Sequence, residues 1–204
     1  MEERIFFLSS GLTLEGLIEW LSPEKALVVT HPHPLYGGDM ENPVVEAIVR
    51  AYQEAGYTTL RFNFRGVGES AGRYADGVGE REDVRGAVTY LTQRGIKKVE
   101  LSGYSFGTYV NIQAYQEGLS VASMTMVSPP VAFMDFHKSF FIPCLKWVVT
   151  GSRDEIAPPQ SVVSYTSFWQ PAARCEVIAG ADHFYTGYIR ELKETLARLI
   201  KDFP

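Results

Sequence analysis

Cysteine is scarce in this chain of 204 residues: Cys144 and Cys175 are its only two. That excludes the disulfide framework of a small secreted domain and leaves buried, reduced thiols as the expectation. Long apolar runs are missing as well. None approaches the ~20 residues that cross a bilayer, and the opening Met1–Leu8 carries acids where a secretory signal carries positive charge. A cytoplasmic protein without a membrane span is therefore expected. Basic charge is in deficit: 19 Lys and Arg against 24 Asp and Glu leave a net charge of −5. Lys97–Lys98 is the only tight basic pair, so there is no electrostatic footprint for nucleic acid. Internal repeats, collagen-like composition and a coiled coil are equally unsupported. An apolar fraction of 46% is too high for a disordered chain, and the length suits a single domain over 1–204.

What is present is an alternation of strand-like and helix-period segments. Ile5–Leu8, Leu12–Trp20 and Ala26–Thr30 read as strands, the third short and wholly apolar. Asn42 caps a helix that opens on Pro43, keeps Val44, Val45, Ile48, Ala51, Tyr52 and Ala55 on one face, and ends at Gly56. Thr58–Phe64 is a strand, followed by a Gly-rich loop from Arg65 to Gly79. Asp83–Arg94 is helical, Lys98–Ser102 a strand, Phe106–Glu117 a helix and Val121–Val127 a strand. Leu145–Thr150 and Cys175–Ile178 are the last strands, and Tyr188, Leu192, Leu196 and Leu199 mark a final amphipathic helix. Strands joined through helices argue for a mostly parallel sheet covered on both faces, a three-layer α/β/α sandwich with an antiparallel edge made by the first two strands.

Gly-x-Ser-x-Gly occurs twice, at Gly103–Gly107 and Gly68–Gly72. The motif serves a nucleophile on a sharp strand-to-helix turn, where small residues on either side let neighbouring backbone pass close by. Ser105 follows a strand and opens a helix, whose N-terminal dipole favours developing negative charge. Ser70 sits among glycines and opens no helix, so it reads as loop. Ser105 is the candidate nucleophile.

A serine hydroxyl needs a base, and the base needs an orienting acid. In a strand–elbow–helix scaffold the chain order is serine, acid, histidine. His31 and His33 precede Ser105 and drop out, and His137 comes before any plausible acid loop. His183, just past the last strand, is the candidate base. Asp154, in the loop after Leu145–Thr150, is the preferred acid because its short side chain holds one imidazole tautomer best. Glu155 is the fallback, and Asp182 reads as a brace for its own loop. Acyl transfer also needs two N–H donors. Phe106 supplies one. The second comes from the loop after the third strand, where Pro32 and Pro34 have no N–H; His33, Leu35 and Tyr36 remain, with Leu35 favoured. His31 and His33 alone do not make a metal site.

His31-Pro-His-Pro-Leu-Tyr-Gly-Gly38, Arg61-Phe-Asn-Phe-Arg-Gly-Val-Gly-Glu-Ser70, Gly103-Tyr-Ser-Phe-Gly107 and Gly180-Ala-Asp-His-Phe184 occur in that order through nearly the whole chain. Together they resemble the small lidless serine hydrolases of the α/β-hydrolase superfamily, a bacterial group related to dienelactone hydrolase. The resemblance implies an eight-stranded, mostly parallel sheet and supports Ser105–Asp154–His183 as a triad. Dienelactone hydrolases proper use cysteine where this chain has Ser105, so their substrate does not carry over. Only Pro129–Cys144 separates the sixth and seventh strands, too little for a lid domain. Phe133, Phe136, Phe140 and Phe141 in that segment fit core packing at least as well as a binding wall; Phe133 and Phe136, with Tyr36 and Tyr104, are the wall candidates. The expectation is a monomeric or weakly dimeric hydrolase of small carboxylic esters or thioesters that uses neither cofactor nor metal. Its rivals are a silent ligand-binding module and an acyltransferase on the same residues.

Overall fold

The computed structural model of the protein describes residues 1–202. The final two positions of the expected domain, 203 and 204, lie outside the described residues. β-Branched and aromatic runs bounded by turn formers build the strands β1 (Glu3–Ser9), β2 (Leu12–Glu19), β3 (Lys25–Thr30), β4 (Thr58–Phe62), β5 (Lys98–Tyr104), β6 (Ser123–Val127), β7 (Leu145–Gly151) and β8 (Arg174–Ile178). The helices are α1 (Pro43–Glu54), α2 (Val78–Thr92), α3 (Phe106–Gln116), α4 (Pro159–Trp169) and α5 (Ile189–Asp202). All eight strands form one sheet in the order β1-β2-β4-β3-β5-β6-β7-β8. β1–β2 and β2–β4 are antiparallel, and every other pair is parallel. The β1–β2 hairpin turns through Ser10 and Gly11, both with positive φ (44° and 82°), the handedness that matches the twist of its strands.

The buried strands explain the layering. β3, β4 and β6 have almost no exposed residue, as strands covered on both faces should. One face packs against α2, α3 and α4 through Val84, Leu91, Val110, Ile112, Val162 and Trp169. The opposite face packs against α1 and α5 through Ile48, Tyr52, Leu192, Leu196 and Leu199. Segment 128–144 between β6 and β7 holds turns and no helix, so no lid lies over the C-terminal edge of the strands. Among the described residues no helix is long and apolar enough to cross a membrane. Cys144 and Cys175 are unpaired and partly buried.

Several elements differ from the sequence reading. The segment 159–169, whose valines, serines and threonine are weak helix formers, is assigned no element there. It is helical because Val162, Thr166 and Trp169 recur at i, i+4 and i+7 and bury against the sheet. α2 begins at Val78 rather than Asp83. Glu80 holds that start, its carboxylate accepting the Ala75 and Gly77 amides at 2.9 and 2.8 Å. Asp83 lies inside the helix, where its buried carboxylate takes Arg65 at 2.7 Å and the Ser9 hydroxyl at 2.8 Å. β4 stops at Phe62, short of the expected Phe64; the Asn63 amide still donates to the Glu15 carbonyl of β2 at 3.1 Å, while its side chain accepts the Met40 amide at 2.8 Å and donates to the Glu15 carboxylate at 2.6 Å.

Leu196 is fully buried where α5 meets the sheet. Leu196→Ala is expected to lower unfolding free energy by about 2–5 kcal/mol, read from urea midpoints at constant m-value.

Candidate active site

β5 ends at Tyr104, and the next residue turns the chain sharply into α3. Ser105 has φ 51° and ψ −119°, a region that costs a residue with a Cβ free energy. The turn is pinned on three sides. The Ser105 amide donates to the Val127 carbonyl of β6 at 3.0 Å, and the Ser105 carbonyl accepts the Thr108 amide and hydroxyl at 2.9 and 2.7 Å. The third side is the end of β3. A Cβ on Gly107 would lie 2.5 Å from Thr30 Oγ1 and 2.6 Å from its carbonyl oxygen, and one on Gly103 would lie 2.7 Å from the Gly107 backbone. Glycine at both positions is thus a packing requirement, as the motif implies. The Phe106 amide, at the start of α3, has no acceptor among the described residues.

His183 reaches this turn from the loop after β8. Its Nε2 lies 2.9 Å from Ser105 Oγ, and its Nδ1 lies 2.9 Å from each Asp154 carboxylate oxygen. An ionised carboxylate only accepts, so the imidazole carries its proton on Nδ1 and turns a lone pair toward the serine. Asp154 follows β7, where its carboxylate also accepts the Ile156 and Ala157 amides at 3.0 and 2.6 Å. Burial pushes the Asp154 carboxyl up, but the His183 hydrogen bond and charge, the Ala157 amide and the Ser128 hydroxyl outweigh it. The net result lies below the ordinary carboxylate value.

The loop after β3 is tied down by its own histidines. His31 is wholly buried; its Nε2 accepts the Phe64 amide at 3.0 Å, which leaves Nδ1 to donate to the Pro32 carbonyl at 2.7 Å. The chain has no cis peptide among the described residues, so fixing the Pro32 carbonyl also fixes the His33 N–H, which points the opposite way. Leu35 departs from expectation. Its amide is already engaged, donating to His33 Nδ1 at 3.2 Å, and the Tyr36 amide donates to the His33 carbonyl at 3.1 Å. The His33 amide, one of the alternatives from sequence, is the one in that trio with no acceptor among the described residues.

The wall candidates divide. Tyr36 and Phe133 are open to solvent, 88% and 75% exposed. Tyr104 and Phe136 are not open to a ligand and must be withdrawn as wall residues. Tyr104 is buried beneath His183, its hydroxyl donating to the His183 carbonyl at 2.8 Å. Phe136 is buried against Tyr109 and Trp169. Ser70 is a loop brace, donating to the Asn63 carbonyl at 2.7 Å. Glu155 is exposed, and Asp182 accepts the Thr186 amide at 3.0 Å. Sequence reasoning missed Ser128 and Tyr185, buried residues with positive φ (47° and 54°) whose hydroxyls meet at 2.9 Å behind Asp154. A strained backbone leaves no mark in side-chain periodicity, so no sequence signal pointed to either.

Burial lowers the His31 pKa to about 4; the Pro32 hydrogen bond opposes this, and the charge of His33 adds to it. The folded state therefore resists a proton that the unfolded chain accepts near 6.5. Stability is complete above that value and falls by up to about 3 kcal/mol as pH drops toward 4. Urea unfolding between pH 7 and 4 is expected to show this slope, and His31→Gln to lose the His31 share of it.

No protein-family model matches the chain. It is 34% identical over 212 residues to an uncharacterized protein of Rickettsia prowazekii (strain Madrid E), covering 98% of this chain and 87% of that one. Among solved structures it is similar to an α/β serine hydrolase homologue from Coxiella burnetii, with TM-score 0.87 and 33% identity over 96% of each chain. It is also similar to a lidless α/β serine hydrolase from Xanthomonas campestris, with TM-score 0.89 and 28% identity over 99% of this chain and 94% of that one. The link to dienelactone hydrolase is not carried by these relatives. With the sheet order, the serine turn and these full-length matches in agreement, the chain belongs to the lidless α/β serine hydrolases.

Proposed function

We propose that this protein hydrolyses small carboxylic esters or thioesters through an acyl-enzyme on Ser105. The observation that carries the reading is the unbroken hydrogen-bond line from Ser105 Oγ through His183 to Asp154, each step at 2.9 Å. Such a line lets a neutral imidazole take the serine proton as oxygen attacks the carbonyl, while the buried carboxylate stabilises the imidazolium that forms. His183 then returns the proton to the leaving alcohol or thiol. It next deprotonates a water that attacks the acyl carbonyl, and Ser105 is regenerated with release of the carboxylic acid.

The tetrahedral oxyanion is assigned to the Phe106 and His33 amides, replacing the expected Leu35 amide, whose hydrogen is taken. Each donor of this kind contributes about 2.7–4 kcal/mol to the transition state. Every group in this scheme comes from one domain of the chain itself, with no cofactor or metal assigned a step. Leu35, Tyr36 and Phe133 stand exposed on loops at the C-terminal edge of the sheet, which favours an apolar acyl or alkyl group. An open mouth also admits water, the acceptor that distinguishes a hydrolase from an acyltransferase.

A fluorophosphonate probe tests the reading. The expected result is a covalent adduct mapped to Ser105 in the folded protein and none in Ser105→Ala. Ester turnover should fall by at least about 10⁴-fold in that variant. Folded protein with neither adduct nor turnover would overturn the proposal and favour a ligand-binding role, whereas products transferred to added alcohols in preference to water would indicate an acyltransferase.

A further inference from the structure

The His33 side chain is half-buried beside the serine turn, and both of its nitrogens are committed. Nδ1 accepts the Leu35 amide at 3.2 Å, and Nε2 lies 3.1 Å from Tyr74 Oη. An imidazole that accepts at Nδ1 is protonated at Nε2, so it donates to the tyrosine. Neither nitrogen bonds Ser105, and neither is left for a metal. The ring also packs on Phe106, Tyr36 and Tyr74, with centroids 4.7, 5.0 and 5.1 Å away.

These contacts join three stretches of chain that share no strand pairing: the short turn Pro34–Tyr36, the Gly-rich loop carrying Tyr74, and the start of α3. Leu35 and Tyr36 are exposed and add little packing of their own. The loop after β3 runs to Pro43 without regular structure beyond that turn, so side-chain ties must hold it. The His33 and Phe106 rings meet at a tilt of 50°, and the amides of both residues, the pair assigned to the oxyanion, lack an acceptor among the described residues.

We infer that the His33 imidazole is a positioning residue for the oxyanion site, locking the loop after β3 to the serine turn so that the His33 and Phe106 N–H groups keep one mutual geometry. This rests on the acyl-transfer reading above. Its physical basis is that donors stabilise developing charge only if they are already in place, and a displacement of about 1 Å can cost about 10²-fold in rate. The imidazole does this without touching substrate: its Nδ1 caps the turn, its Nε2–H anchors the Gly-rich loop, and its face sets the distance to Phe106.

The test compares wild type with His33→Ala, His33→Asn and Tyr74→Phe, measuring kcat and KM on a short-chain nitrophenyl ester together with the rate of fluorophosphonate labelling. His33→Ala is expected to lose about 10–100-fold in kcat with KM within about threefold, the signature of an interaction needed in the transition state. His33→Asn places an acceptor oxygen where Nδ1 stood but lacks the ring and the Nε2 donor, so it should restore part of the lost kcat and remain below wild type. Tyr74→Phe, which removes only the Nε2 partner, should lose a few-fold. Should His33→Ala fail to fold, His33→Gln, whose acceptor sits beyond reach of the Leu35 amide, takes its place against His33→Asn.

An unchanged kcat in His33→Ala (or in His33→Gln where it stands in), or a loss that appears in KM and not in kcat, overturns this inference while wild-type labelling leaves the acyl-transfer reading standing. Wild type with neither adduct nor turnover overturns both.

Discussion

The backbone at Ser105 sits where a side chain is unwelcome, at a cost of order 1–3 kcal/mol, and the surrounding structure is what keeps it there. The serine amide is claimed by β6, its carbonyl by Thr108, and the glycine two residues later is pressed against Thr30 at the end of β3. The contacts to Val127 and Thr30 depend on the central parallel pairing of β3, β5 and β6. The site is therefore a property of the sheet before it is a property of its loops. Release of any one of the three ties would let the turn relax and withdraw the hydroxyl from His183.

The same logic extends behind the acid. Asp154, His183, Ser128 and Tyr185 come from three separate connections, yet they are joined through buried polar contacts with little solvent among them. Burial strengthens each of those bonds electrostatically and makes each of them expensive to leave unmade. The Asp154 carboxyl resolves this tension by collecting two amides and an imidazole, enough donors to stay charged in spite of its desolvation. By contrast, on the rim facing solvent, the turn carrying the exposed Leu35 and Tyr36 is held in part by aromatic packing around His33. Rigid chemistry lies beneath a surface that can vary.

Much of this was legible before any coordinates. The strands, the amphipathic α1 and α5 and the Gly-Tyr-Ser-Phe-Gly turn are written in periodicity and in glycine spacing, because both report directly on which face is buried and how closely backbones approach. Chain order singled out Asp154 and His183. What stayed hidden depended on tertiary context. α4 is built from poor helix formers and exists because Val162, Thr166 and Trp169 find a core to fill. Phe136 and Tyr104 look alike in sequence to residues that line a cleft, and only packing reveals that one supports the core and the other supports His183. The Leu35 amide could not be excluded from sequence either, since nothing in His-Pro-His-Pro-Leu announces that the second imidazole reaches forward two residues.

The strand order carries a consequence for how the molecule is made. β3 lies between β4 and β5, so Val29 pairs with Arg61 on one side and with Ser102 on the other. Contacts this far apart in sequence are slow to form, because the entropy of closing long loops is spent before the pairing rewards it. The residues of the candidate site, His33, Ser105, Asp154 and His183, are distributed along most of the chain and meet only when β3, β5, β7 and β8 are already side by side. A nascent chain still on the ribosome, lacking β8 and the loop after it, holds Ser105 without the His183 contact, so under the proposed mechanism its hydroxyl has no base. On the proposed reading of Ser105 as nucleophile, the topology acts as a safeguard in time, completing the site only once the sheet is complete.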